Sequence, residues 1–248
     1  GVRAFYAYML THPGKKLSFI GAELGQWNEW HYEYSLDWHL LQYEPHRQIH
    51  KFFQAANAFY LAEPALWEQD DSWQGFQWLC ADDHTANTVA FLRWDREGRP
   101  LIVVCNFSPI HRKGYYVGAP FSGAWAPVLN TDAAEFGGSG LGDTAPIKTI
   151  STPCHDQEQA LSIDLPPMSV MVYRCIRRSP VRKKKAGGES AGEEELSQDR
   201  GGQNCLRKNR SPQIEGRGAA RAQTQDRSGV NLSPVVFTAI QRSTIHQR

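Results

Sequence analysis

The last seventy residues of this 248-residue chain contain almost no aromatic side chains. All eight tryptophans and all nine tyrosines precede residue 179, and Phe237 is the single aromatic residue after that point. A segment with so few large apolar groups cannot bury enough surface to offset the entropy lost when its backbone is ordered. We therefore expect residues 179–248 to be a disordered tail.

Long apolar runs and paired cysteines are missing as well. Without a window of about eighteen apolar residues, no transmembrane helix and no membrane partner are expected. No signal peptide is recognisable, and the chain begins with Gly1 instead of methionine, so we expect residue 1 not to be the natural start of the gene product. The cysteines lack CxxC spacing, which indicates neither a disulfide framework nor a zinc site, and free thiols in a reducing cytoplasm account for them. They are Cys80, Cys105, Cys154, Cys175 and Cys205.

Charge is divided unevenly along the chain. Residues 1–178 carry 14 basic and 19 acidic side chains, whereas residues 179–248 carry 13 and 7. The run from Arg182 to Lys185 raises the alternative of a nucleic-acid contact, but a short basic run in a segment rich in Gly, Ser, Arg and Gln is usually solvated chain. We therefore expect no nucleic-acid partner.

Residues 1–74 show the order helix, strand, long loop, helix. Apolar residues spaced by three and four predict helices over residues 2–12 and from Pro45 to about Leu61. The apolar run at 17–21 (LSFIG) is typical of a buried parallel strand. Such a strand needs partner strands, and residues 1–74 contain none, so this part is predicted to be the last βα unit of a larger domain.

From about residue 75 the apolar period changes to two. Alternating or continuously apolar segments predict strands near 76–80, 89–93, 101–105, 113–117, 124–129, 160–165 and 169–175. Short strands at this spacing, with no helical pattern between them, favour an antiparallel β-sandwich of about a hundred residues. The predicted fold class is thus α/β plus all-β, with segments at 1–74, 75–178 and 179–248.

Acidic and aromatic side chains follow the predicted strand at 17–21. The carboxyl ends of strands hold ligand-binding groups in α/β folds, and sugars pair well with carboxylates and flat aromatic rings together. The alternative is that the tryptophans pack in a core and the carboxylates cap helices or face solvent, which is less favoured for the acid two residues past the strand. The candidate substrate contacts are Glu23, Trp27, Trp30, Asp37 and Trp38.

Two further patterns suggest ligand sites only superficially. His46 and His50 have the spacing of a metal-binding helix, but the glutamate of zinc-protease helices and a third ligand are missing, so a surface pair is expected. The Gly-rich stretch 135–142 resembles a phosphate loop in composition, yet neither GK[ST] nor a helix follows, so a flexible hairpin loop is expected.

Several blocks of the sequence resemble one enzyme family. The block "PGKKLSFIGAELGQWNEW", followed by "SLDWHLL", is similar to the end of the catalytic barrel of bacterial 1,4-alpha-glucan (glycogen) branching enzymes, in the alpha-amylase superfamily. The blocks "GFQWLCADD", "VVCNFSP", "WAPVLNTDAAEFGGSGLGD" and "LPPMSVMVYR" follow in the family's order. The resemblance covers about residues 1–177.

The resemblance implies the last βα unit of a (β/α)8 barrel followed by a C-terminal all-β domain. It also implies cleavage of an α-1,4 linkage in a glucan and transfer of the released chain to a 6-hydroxyl, with no metal or organic cofactor. The family's mechanism is retaining, with an aspartate nucleophile and a glutamate acid and base.

The motifs that carry those catalytic carboxylates do not occur in the 248 residues. No catalytic residue is therefore assigned, and by resemblance Glu23 and Asp37 line or brace the site. We expect a cytoplasmic C-terminal fragment that is inactive alone and reaches its α-glucan substrate through the intact parent enzyme. The alternative is a non-catalytic β-sandwich module that binds glucan or a protein partner.

Overall fold

Residues 1–28 and 32–178 are described by a computed structural model of the chain. The expected disorder of residues 179–248, the basic run in it, and the positions of Trp30 and Cys205 lie outside the described residues. The described part contains two α-helices, α1 (Val2–Thr11) and α2 (Glu44–Ala62), and eight β-strands.

Both predicted helices are confirmed, and local sequence explains where they end. After α1 the chain turns to an extended conformation at His12, directly before Pro13-Gly14. Pro45 lies in the first turn of α2, where its missing N–H is not needed. Each helix buries one apolar face, and the two faces meet where the rings of Tyr6 and Phe53 stack with their centroids 3.9 Å apart.

The strands form two antiparallel sheets. The larger sheet has the order β1-β2-β3-β8-β5-β6, and the smaller one pairs β4 with β7. All seven predicted strands are confirmed, whereas the two-residue β6 is too short to show a period. The strands are β1 (Phe76–Asp83), β2 (Thr88–Trp94), β3 (Pro100–Asn106), β4 (Arg112–Ala119), β5 (Gly123–Asn130), β6 (Ile147–Lys148), β7 (Gln159–Leu165) and β8 (Ser169–Arg178).

The six-stranded sheet is covered on both faces. In β8, Val170 and Val172 belong to the apolar core that α1 and α2 share with the sheet. Met171 and Tyr173 point the other way, into the core between the sheet and the β4–β7 pair. Burial on both faces explains why β3 is a continuous apolar run instead of an alternating one. The helices of the first seventy residues thus contribute to the same core as the β-sandwich.

Residues 17–21, all within the described part, differ from the prediction because they form no strand. The side chains of Leu17, Phe19 and Ile20 are 74%, 58% and 50% exposed. A strand needs a neighbouring backbone to complete its ladder, and the eight described strands all belong to the two sheets above. The apolar pattern was present, but the partner that would make it a strand is not among residues 1–28 and 32–178.

The Gly-rich stretch lies in the connection between β5 and β6, which pair antiparallel as a hairpin would. The carboxylate of Asp132 organises this connection by accepting the backbone N–H groups of Ser139 at 3.0 Å and Leu141 at 3.4 Å. Arg3 of α1 donates to the carbonyl oxygens of Thr131 at 2.7 Å and Phe136 at 2.9 Å. The connection therefore ties α1 to the sheet.

We expect a Gly138→Ala substitution to destabilise the protein, because the added Cβ would lie 2.2 Å from the backbone oxygen of Asp132. Overpacking of this kind typically costs about 1–3 kcal/mol. Urea denaturation of the purified chain measures the loss, with Ser139→Ala in the same loop as the control. Equal urea midpoints for the two variants would contradict the close approach.

Candidate functional site

The described candidate contacts lie in or between two short 3-10 turns in the connection from α1 to α2. The first turn is Ala22–Leu24, and the second is Trp38–Gln42, directly before α2. Both turns lie against α2. Glu23 belongs to the first turn, and Asp37 begins the second. The structure thus places Glu23 and Asp37 in or beside turns that contact the same helix.

The Glu23 side chain is half-buried next to the junction of the two helices. Burial raises the pKa of Tyr6, and the negative charge of Glu23 adds to this increase. The Tyr6 hydroxyl donates to the side-chain oxygen of Asn57 in α2 at 2.8 Å. Glu23 therefore lies within electrostatic reach of a buried, hydrogen-bonded tyrosine and is not a fully solvated surface acid.

Asp37 closes the loop between the two turns. Its backbone N–H donates to the side-chain oxygen of Gln26 at 3.2 Å, and its carboxylate accepts the side-chain amide of Asn28 at 3.3 Å. These bonds join Gln26 and Asn28, on either side of Trp27, to Asp37, which precedes Trp38. Trp27 and Trp38 are thus carried on one loop that these hydrogen bonds close.

The described tryptophans and tyrosines of this loop face outward. Trp27 is 79% exposed and Trp38 is 54% exposed, so neither is a core residue of the described part. Tyr32 and Tyr34, each 75% exposed, add aromatic surface that the sequence reasoning did not single out. Their position between Trp27 and Trp38 was the available signal. The loop therefore offers several flat rings next to acidic groups, as a sugar-binding surface requires.

The expectation of a surface pair at His46 and His50 is wrong for His46, which is 7% exposed. Its Nδ1 lies 2.7 Å from the carbonyl oxygen of Leu24, and Nδ1 of His50 lies 3.3 Å from that of Glu23. Both rings thus bind the first turn. Among residues 1–28 and 32–178, no cluster of three His, Cys, Asp or Glu side chains has the geometry to hold a metal ion.

The four cysteines within the described ranges are free thiols. Cys105 and Cys154 are buried, while Cys80 and Cys175 are half-buried. Burial raises the pKa of the Cys105 thiol, so it is an inert core group.

Neither described helix is long and apolar enough to span a membrane.

Comparison with known families defines the class of the β-domain. Residues 78–176 match the family described as "Alpha amylase, C-terminal all-beta domain". This match begins in β1 and ends in β8, so it covers the two antiparallel sheets.

Individual relatives extend the match to most of the described residues. The 1,4-alpha-glucan branching enzymes GlgB of Pseudomonas fluorescens and Aquifex aeolicus are each 46% identical, over 173 and 174 residues, or 70% of this chain. The GlgB enzyme of Thermosynechococcus vestitus is 40% identical over 184 residues, or 74% of this chain. Over this stretch the chain corresponds to the C-terminal part of 1,4-alpha-glucan branching enzymes. It spans only about a quarter of these relatives, namely 23%, 28% and 24% of their lengths.

Proposed function

We propose that this chain is part of an enzyme that cleaves α-1,4-glucan and transfers the released chain to a 6-hydroxyl, forming α-1,6 branches. The observation that carries the proposal is the 46% identity to two branching enzymes over 70% of the chain. The free thiols of the described cysteines favour a cytoplasmic location, where thiols stay reduced.

The chemistry of a retaining enzyme requires two carboxyl groups about 5–5.5 Å apart across the scissile bond. We infer that these groups lie on barrel strands outside this chain. Within the described residues, Asp37 is engaged in closing its loop and Glu23 stands beside a buried tyrosine. Their proposed role is to line or brace the glucan site, not to break the bond.

The barrel assignment of residues 1–74 is part of the same proposal. The exposed run of Leu17, Phe19 and Ile20 has the composition of a buried parallel strand. In the longer protein, neighbouring barrel strands would cover these side chains and complete their backbone hydrogen bonds. The β-domain at 75–178 would then follow the barrel directly.

The proposed glucan contacts are the outward rings of Trp27 and Trp38, with Trp30 assigned from sequence alone. An exposed ring can stack on the apolar face of a sugar, while Glu23 and Asp37 accept hydrogen bonds from its hydroxyls. The exposure of both described tryptophans supports this arrangement, because a buried ring has no face to offer.

A chimeric enzyme tests the proposal. Residues 1–178 replace the matched C-terminal region of the Pseudomonas fluorescens enzyme, and branching of amylose is followed by iodine staining. We expect the chimera to be active and the 248-residue chain alone to be inactive. An inactive, folded chimera would contradict the assignment. If glycogen retains the chain alone while the folded chimera is inactive, the non-catalytic binding module is the better description.

In the same chimera, Trp27→Ala and Trp38→Ala are expected to lower kcat/KM by about three- to tenfold, the effect of losing roughly 0.7–1.4 kcal/mol of stacking. Trp73→Ala is the matched control, because Trp73 is 88% exposed but lies outside the loop. An equal loss in all three variants would show that the loop has no special role.

A further inference from the structure

Two histidines of α2 contact the backbone of the first turn, Ala22–Leu24, which carries Glu23. The ring of His46 binds the carbonyl oxygen of Leu24, and the ring of His50 binds that of Glu23, so successive peptide groups are held by successive turns of one helix. The spacing of four residues, which resembles a metal site in sequence, places both rings on the same face of α2.

The partners of these rings determine which ring nitrogen donates to the turn. A carbonyl oxygen only accepts hydrogen bonds, so Nδ1 of each ring carries the proton. For His50, the side-chain amide of Gln54 lies 3.2 Å from Nε2 on the other side of the ring. Each histidine is therefore oriented as a donor towards the turn.

The contact extends from the turn to the first tryptophan. The rings of Trp27 and His46 meet edge to face, with their centroids 5.2 Å apart. Between the turn and Trp27 in sequence, Gly25 has a φ of 61°, and a Cβ there would lie 3.3 Å from the side chain of Ile49 in α2. The backbone at Gly25 thus lies close against α2.

We propose that His46 and His50 are positioning residues for glucan binding, which hold Glu23 and Trp27 in the orientation that contacts the sugar. This inference rests on the proposed function, because it assigns the turn to the glucan site. Neither histidine needs to touch the sugar. A residue without a donor would leave a carbonyl oxygen of the turn unsatisfied, and the turn would move to find water. Displacements of about 1 Å are enough to weaken a binding site.

The test compares His46→Leu, which removes the donor, with His46→Asn, whose side-chain N–H can replace Nδ1–H. Retention of the full 248-residue chain in glycogen-containing native gels measures glucan affinity, and hydrogen exchange of residues 22–28 measures order of the turn. We expect His46→Leu to weaken retention at least threefold and to speed exchange about tenfold, and His46→Asn to restore both. His50→Leu is expected to act in the same direction with a smaller effect. His84→Leu, an exposed histidine in the β1–β2 turn, is the control.

Unchanged exchange in folded His46→Leu overturns the positioning role. Faster exchange with undiminished glycogen retention shows that the turn is held but does not serve binding, which also overturns it. If the unmodified chain is not retained by glycogen, His46→Leu and His46→Asn are compared by kcat/KM in the chimera. Equal kcat/KM values for these two variants reject the inference. An inactive unmodified chimera rejects the proposed function itself.

Discussion

Replacing Arg93 by leucine is expected to lower the free energy of unfolding by about 3–5 kcal/mol, the cost of removing one member of a buried ion pair. The Arg93 side chain is fully buried. It donates to the carboxylate of Asp70 at 2.8 Å and to the carbonyl oxygen of Thr11, at the end of α1, at 2.7 Å. It also donates at 3.2 Å to the carbonyl oxygens of Leu66 and Gly75. Leucine would fill part of the space but leave all four acceptors without this donor.

The Arg93 prediction has two controls that separate charge from geometry. Arg93→Lys keeps the positive charge but cannot reach four acceptors with a planar fork, so we expect an intermediate loss. Arg96→Leu changes an exposed arginine three residues away and should cost less than about 0.5 kcal/mol. Urea denaturation gives all three values. A loss below 1 kcal/mol for Arg93→Leu would mean that water or a rearranged side chain satisfies the acceptors.

Truncating Phe52 to alanine is expected to cost about 3–5 kcal/mol, the range for large aromatic side chains in a core. Phe52 is fully buried in α2. Its ring packs edge to face against three other rings. The centroid distances are 6.1 Å to Tyr6, 6.0 Å to Phe53 and 5.5 Å to Phe136. The last of these belongs to the β5–β6 connection, so one side chain joins both helices to the β-domain.

Hydrogen exchange distinguishes a shared core from two separate ones. If helices and sheet form one core, Phe52→Ala should speed exchange in β3 and β8 as well as in α2. Phe5→Ala is the matched control, because Phe5 lies on α1 but is 70% exposed. Faster exchange confined to residues 1–74 would instead support a helical segment that unfolds independently of the sheets.

The helices and strands were predictable because their patterns are local. A period near 3.6 in α1 and α2, and a period of two or a continuous apolar run in the strands, reflects which faces of each element are buried. The same logic was wrong at residues 17–21, because a strand depends on a neighbour that the local sequence does not describe. The apolar run indicates that the segment is suited to a buried strand. Whether the strand forms depends on a neighbouring strand elsewhere in the chain.

The candidate site was predictable in composition but not in geometry. The identity of Glu23, Trp27, Asp37 and Trp38 followed from acidic and aromatic residues after an apolar run. Nothing in the spacing indicated that Asn28, next to Trp27, would form a hydrogen bond with Asp37, next to Trp38. The spacing of His46 and His50 led us to expect a surface pair, and only the tertiary position of the first turn brings their rings to backbone carbonyl oxygens.

By itself, the sequence determined the two helices, the seven predicted strands of the sheets and the resemblance to branching enzymes, because these depend on short-range periodicity and on side-chain chemistry. It also supplied the candidate residues for glucan contact, which stay a prediction. The tertiary structure decided which groups are buried and which partners they meet. Arg93 shows the difference: it lies in an alternating strand, where sequence predicts only its side of the sheet. Its complete burial depends on four acceptors supplied by residues from Thr11 to Gly75, and only folding brings those acceptors together.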